Sequence, residues 1–134
     1  MEKINSIYIV DDDPITVFGI RKILDNIVKC ENIDAFGNGK LALESIIKAL
    51  EEASEIPEVI FLDINMPIMD GWQFLQEFIK LPLKEKVRIN IITSSIDSVD
   101  RENWEFYKTQ THHLVTFINK PLRSEELIKI TKSA

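Results

Sequence analysis

The sequence has a single cysteine, Cys30, in 134 residues. One thiol closes no internal disulfide and builds no multi-cysteine metal site, which favours a reducing compartment. No apolar run is long enough to span a bilayer, and no basic-then-apolar leader opens the chain. The expectation is a cytoplasmic protein with no membrane partner. Basic charge is also short: 16 Lys and Arg stand against 22 Asp and Glu, a net charge of −6. That balance makes the surface a poor candidate for direct contact with nucleic acid, but suits a cation. Internal repeats, low-complexity tracts and Gly/Ser linkers are missing as well. The length allows one domain with a real core, not two, and the 45% apolar and 28% charged content is ordinary for a soluble globular chain.

What is present is alternation. Ile7 to Val10 is a first apolar strand, followed by Asp11-Asp12-Asp13-Pro14. Pro14 suits the first helical position and Asp13 the cap before it. Ile20, Ile23, Leu24 and Ile27 then recur at helical spacing. A weak second strand runs from about Cys30 to Phe36, with Glu31, Asn32 and Asp34 marking it as a sheet edge. Gly37-Asn38-Gly39 is a turn, and Leu43, Ile46, Ile47 and Leu50 mark a second helix. Val59 to Leu62 is a third strand, read as buried on both faces. Asp70 with Gln73 resembles a capping box before a helix carrying Phe74, Leu75, Phe78 and Ile79, broken at Leu81-Pro82-Leu83. Val87 to Ile92 is a fourth strand, ending at Thr93-Ser94-Ser95. Asp97 to about Thr109 is a fourth helix with a poor apolar stripe. Leu114 to Ile118 is a fifth strand, ending at Asn119-Lys120-Pro121, and Ser124 can cap a last helix carrying Leu127 and Ile128.

Five strands alternating with five helices imply a doubly wound α/β fold, with a parallel sheet of order 2-1-3-4-5 covered on both faces. In such sheets ligands bind at the carboxyl ends of the strands. The residues there are Asp11, Asp12 and Asp13 after the first strand, Asp63 after the third, Thr93 after the fourth and Lys120 after the fifth. Crowded carboxylates repel unless something positive joins them. A hard divalent cation, Mg²⁺ or Mn²⁺, is the simplest remedy. Asp12 and Asp63 are the expected direct ligands. Asp11 would help directly or through water, and the Asn65 main-chain carbonyl adds one more. Asp13 is better explained as a helix cap. Lys120 can neutralise charge on Asp63 and later grip an anionic oxygen, and Thr93 can donate to the same anion, with Ser94 and Ser95 leaving it room. The reaction that fits is phosphoryl transfer onto the Asp63 carboxylate.

The ordered set Val10-Asp11-Asp12, Asp63-Ile64-Asn65-Met66-Pro67-Ile68-Met69-Asp70-Gly71, Thr93 and Lys120-Pro121 resembles the response-regulator receiver domains of two-component signalling, similar in plan to the chemotaxis receiver. The match spans nearly the whole chain. It implies a flavodoxin-like fold and one receiver domain over residues 1–134, without an output domain. Asp63 would accept phosphate from a sensor histidine kinase or phosphotransfer protein. Asp11, Asp12, Asp63 and the Asn65 carbonyl would hold Mg²⁺, and Thr93 and Lys120 would contact the phosphoryl group. The resemblance also implies a cis Lys120–Pro121 bond, self-phosphorylation from small phosphodonors and slow loss of the aspartyl phosphate. Switching would run through Thr93 and the aromatic Phe117 on the fifth strand, toward a downstream protein partner or a homodimer formed on phosphorylation.

The same residues admit other readings. An aspartate-nucleophile phosphatase would use Asp11 and Asp13 as its Asp-x-Asp pair, and a phosphorelay intermediate would pass the phosphate on. A flavin carrier is disfavoured by the acidic end of the first strand, and a degenerate binding module by the full residue set. Two stretches look long for the family. One is Lys48 to Glu58. The other is Ile96 to His113, whose Trp104, Phe106 and Tyr107 would line a partner surface or pack the fourth helix on the sheet. His112 and His113 suit a loop better than a metal site, and Trp72 is expected to be partly buried.

Overall fold

The computed structural model describes residues 2–94 and 97–132. The order of elements is β1 (Glu2–Val10), α1 (Pro14–Ile27), β2 (Val28–Phe36), α2 (Gly39–Glu51), β3 (Val59–Asp63), α3 (Gly71–Phe78), β4 (Arg88–Thr93), α4 (Ser98–Lys108), β5 (Leu114–Asn119) and α5 (Ser124–Thr131). The strands form one five-stranded sheet in the order β2-β1-β3-β4-β5, with every pair parallel. The expected fold and strand order are therefore present.

Burial explains the arrangement. All five residues of β3 are buried. Their alternation divides them between two cores, because successive side chains point to opposite faces. Ile60 and Leu62 pack with Tyr8, Val10, Ile46, Phe74, Phe78 and Ile89 beneath α2 and α3. Val59 and Phe61 pack with Ile7, Ile9, Ile20, Leu24 and Leu127 beneath α1 and α5. Each fully buried side chain of this size is worth about 1.5–3 kcal/mol, so β3 is anchored on both faces along its whole length.

Several boundaries differ from the sequence expectation. β1 starts at Glu2 rather than Ile7, since its first residues pair with Val28 to Asn32 of an equally long β2. β2 is the expected edge, with Glu31, Asn32 and Asp34 exposed. The buried residues of α2 are Gly39, Ala42, Ile46 and Ala49, and Ile47 is exposed. Ser124 opens α5 but does not cap it. Arg123 holds the cap position, and its backbone N–H donates to Glu126 Oε1 at 3.2 Å. In α5, Leu127 and Thr131 are buried while Ile128 is exposed. Asp13 and Pro14 do start α1, with Asp13 accepting from the Ile15 N–H. The Asp70–Gln73 capping box is complete. Ser95 and Ile96 lie outside the described residues.

Connections leaving the strands gather on one rim and those entering them on the other. The long link from α2 to β3 belongs to the entering rim. It opens at Ala53, whose φ of 53° is left-handed, and closes where the Glu58 N–H donates to the Ser6 carbonyl. His113 sits on the same rim, buried, with Nδ1 accepting from the Val87 N–H at 2.9 Å. Both histidines lie in the loop before β5, as expected. No described helix is long and apolar enough to cross a membrane.

Candidate phosphoacceptor site

Asp11 follows the last residue of β1, and Asp63 is the last residue of β3. These strands are neighbours with Val10 opposite Leu62, so the carboxylates emerge side by side. Asp11, Asp12 and Asp63 each offer one oxygen, and these oxygens all lie within 4.8 Å of one another. Asp11 and Asp63 are buried and Asp12 is exposed, which makes a cleft with an acidic floor and one carboxylate on its lip. Lys120 follows the end of β5, and its backbone N–H donates to the Thr93 carbonyl at 2.7 Å. Its Nζ stands 3.0 Å from Asp11 Oδ2 and 3.8 Å from Asp63 Oδ1. The Lys120–Pro121 bond is cis.

The charges are not fully compensated. Burial pushes the Asp63 carboxyl up to about 6, the Asp11 carboxylate adds to the rise, and Lys120 only partly offsets it. Asp11 Oδ1 accepts from the Asp13 N–H at 2.9 Å. Asp11 Oδ2 is buried and pairs with the Lys120 ammonium at 3.0 Å. One ammonium beside two buried carboxylates leaves the cleft with net negative charge. Hard oxygen donors and that net negative charge together fit a small divalent cation.

The loop after Asp63 is gripped by two glycines. A Cβ at Gly71 would lie 2.5 Å from the Asp63 carbonyl oxygen and 2.8 Å from Ile64 Cα. Only glycine lets α3 start this close, and the Gly71 N–H donates to the Ile64 carbonyl. On the other side, the Gly39 N–H donates to the Met69 carbonyl at 3.0 Å, and a Cβ at Gly39 would meet that oxygen at 2.9 Å. Between these grips Ile68 is exposed with a φ of 69°. A β-branched residue there is strained, so the loop is shaped by its anchors rather than by local preference. Asn65 lies in this loop, and its N–H makes a long 3.5 Å contact with Asp63 Oδ1.

Of the residues expected from the sequence, Asp11, Asp12, Asp63 and Lys120 come together. Thr93 ends β4 fully buried, joined to Lys120 through its carbonyl. Asp13 is committed elsewhere: it accepts from the Ile15 N–H and the Thr16 hydroxyl, and its carboxyl is held below the ordinary range mainly by that backbone hydrogen bond. The phosphatase pair Asp11/Asp13 is thereby disfavoured. Phe117 on β5 lies between two indoles, with ring centroids 6.2 Å from Trp72 and 5.9 Å from Trp104. Sequence reasoning missed the supporting role of Gly39, which it took only as a turn, and the bond from Trp72 Nε1 to Asp100 Oδ1. No local pattern announces a contact between residues 28 positions apart.

The sequence profile of the response regulator receiver domain matches residues 7–132. The chain belongs to that family. This receiver domain is 31% identical over 115 residues to a protein-glutamate methylesterase/protein-glutamine glutaminase of Methanospirillum hungatei, covering 86% of this chain and 30% of that protein. It is 31% identical over 121 residues to a two-component response regulator of Arabidopsis thaliana, covering 90% of this chain and 20% of that one. The receiver thus spans a third or less of both of these relatives. Among solved structures it superposes on a two-component response regulator from Cytophaga hutchinsonii with a TM-score of 0.78 and 26% identity, covering 96% and 95% of the two chains. The receiver domain of a sensor histidine kinase from Pseudomonas aeruginosa shares the fold at 22% identity and TM-score 0.73, covering 95% and 93%. That structure is described with magnesium in its active-site cleft.

Proposed function

We propose that Asp63 is the phosphoacceptor of this two-component receiver. The observation that carries the reading is the Asp63 carboxylate itself, with Asp11 and Asp12 within 4.8 Å and Lys120 Nζ at 3.8 Å. An Asp63 oxygen attacks phosphorus, the donor's P–N bond breaks, and its electron pair stays on the imidazole, which takes up a proton. Lys120 faces the incoming phosphoryl oxygens as a point charge, and the Thr93 hydroxyl donates to one of them. Water later attacks phosphorus, the bond to Asp63 breaks, and phosphate leaves. Asp11, Asp12, Asp63 and the Asn65 carbonyl would hold Mg²⁺ or Mn²⁺, which when bound supplies positive charge against the phosphoryl oxygens.

The chemical class of the donor is a phosphohistidine on a sensor kinase or a phosphotransfer protein. The five described strands join one sheet, which supports a single receiver unit, and a downstream protein is the partner class this reading gives it. Phe117, held between Trp72 and Trp104, is the aromatic through which β5 would report the state of Thr93. Intact-mass measurement with acetyl phosphate and Mg²⁺ tests the assignment. The wild type gains one phosphoryl group and Asp63→Asn gains none. Full labelling of Asp63→Asn sinks it.

A further inference from the structure

Helix α4 is attached differently from the other four. None of its residues is buried, whereas α1, α2, α3 and α5 each bury at least two. Its inward side is carried by Trp104 and Tyr107, partly buried and packed against the core, rather than by a stripe of fully buried aliphatic residues. Aromatic side chains with polar ends do the holding. Trp72 Nε1 donates to Asp100 Oδ1 at 3.0 Å, in the first turn of α4. The Trp72 ring also stacks on Tyr107 further along the helix, with centroids 6.1 Å apart at 15°. Trp104 Nε1 reaches back to the Val115 carbonyl of β5 at 3.0 Å.

Two of these three ties begin at one residue, and its address matters. Trp72 is the second residue of α3, directly after the glycine pressed against the Asp63 carbonyl. Its ring also neighbours Phe117. One side chain thus meets α4 at two points and the aromatic of β5, and it follows the glycine that packs against the Asp63 carbonyl.

We propose that Trp72 is the positioning residue of α4. Its indole N–H, received by Asp100, sets where the helix sits and makes α4 a unit that opens separately, with its opening read from the Asp63 loop. The link to Asp63 rests on the phosphoacceptor reading; the positioning of α4 does not. A hydrogen bond to a partly buried carboxylate is charge-assisted, so its loss raises local opening about tenfold.

Amide hydrogen exchange of the full chain tests both parts. Trp72→Phe keeps a ring but removes the N–H, and Asp100→Ala removes the acceptor. Both should speed exchange of residues 98–108 about tenfold more than exchange within α2. Asp100→Asn retains a neutral acceptor oxygen and should fall between the wild type and Asp100→Ala. An α4 that exchanges no faster, relative to α2, in Trp72→Phe overturns the positioning role, as does an Asp100→Asn as labile as Asp100→Ala. The second arm adds beryllofluoride and Mg²⁺, with binding followed by fluorine resonance in the same samples. Exchange in α4 should respond in the wild type and lose that response in Trp72→Phe. Binding with equal responses in the two proteins overturns the coupling. Failure of the wild type to bind overturns the phosphoacceptor reading instead, and the first arm still decides the role of Trp72.

Discussion

Replacing Asp63 with asparagine should make the metal-free protein more stable. The carboxyl of Asp63 ionises at about 6 in the fold against an ordinary value near 3.9. A raised value means the folded state resists ionisation. Stability is full below about pH 4, falls as pH rises to about 6 and is flat above. The gap of roughly two units corresponds to about 3 kcal/mol at neutral pH, at 1.36 kcal/mol per unit. The Asp63 side chain is only 7% exposed, so solvent screens little of this. Asparagine keeps the shape, retains an acceptor for the Asn65 N–H and removes the charge. Urea unfolding in EDTA at pH 7.5 should therefore place Asp63→Asn about 2–3 kcal/mol above the wild type, and at pH 4.5 the difference should shrink to about 1 kcal/mol. Saturating Mg²⁺ should stabilise the wild type and leave the variant nearly unmoved, because a ligand stabilises only the state it binds. An asparagine variant less stable than the wild type in EDTA, or a gap indifferent to pH, would refute the account of a self-repelling cleft.

Other perturbations follow from the same geometry. Gly71→Ala drives a Cβ into the Asp63 carbonyl and should cost about 3 kcal/mol, measured by urea midpoint; a loss below 0.5 kcal/mol would mean the contact is soft. The His113 ring is buried, which lowers its ionisation to about 4, with His112 adding to the effect. Its contribution is complete above about pH 6.5 and is lost as pH falls toward 4. The stability difference between wild type and His113→Gln should move by about 2 kcal/mol between pH 7 and pH 4.5, and a constant difference would show that the histidine does not titrate there. Phe117→Ala should keep acetyl phosphate labelling within about twofold, since positioning at the acceptor does most of the work, yet lose the tryptophan fluorescence change that beryllofluoride produces. A wild-type-sized change would remove Phe117 from the switch.

The parts that could be read from the sequence share one property: their signal is contiguous. Val59 to Leu62 is an unbroken apolar run, and Asp70 with Gln73 is a cap at fixed spacing. The cleft was legible for a topological reason, since a parallel sheet delivers the ends of β1, β3, β4 and β5 to one rim and polar residues there must meet. What stayed hidden was non-local. Polar residues in Glu2 to Ser6 obscured the start of β1, which exists because β2 pairs with it. The buried face of α2 rests on Ala42 and Ala49 rather than Ile47, since small residues can face a close neighbour that a larger chain cannot. The loop position of His113 was legible, but its burial and its bond to the Val87 N–H depend on a backbone group 26 residues away, just before β4. Nothing near residue 72 names Asp100 as its acceptor.

The link between α2 and β3 is housed at the pole of the molecule opposite the acidic cleft. Exposed Ser54 and Glu55 therefore offer a place where foreign sequence could be spliced without crowding the phosphodonor. A short epitope or a dye-bearing cysteine inserted between them would anchor the domain to a surface by its blunt end and leave the reactive mouth facing outward.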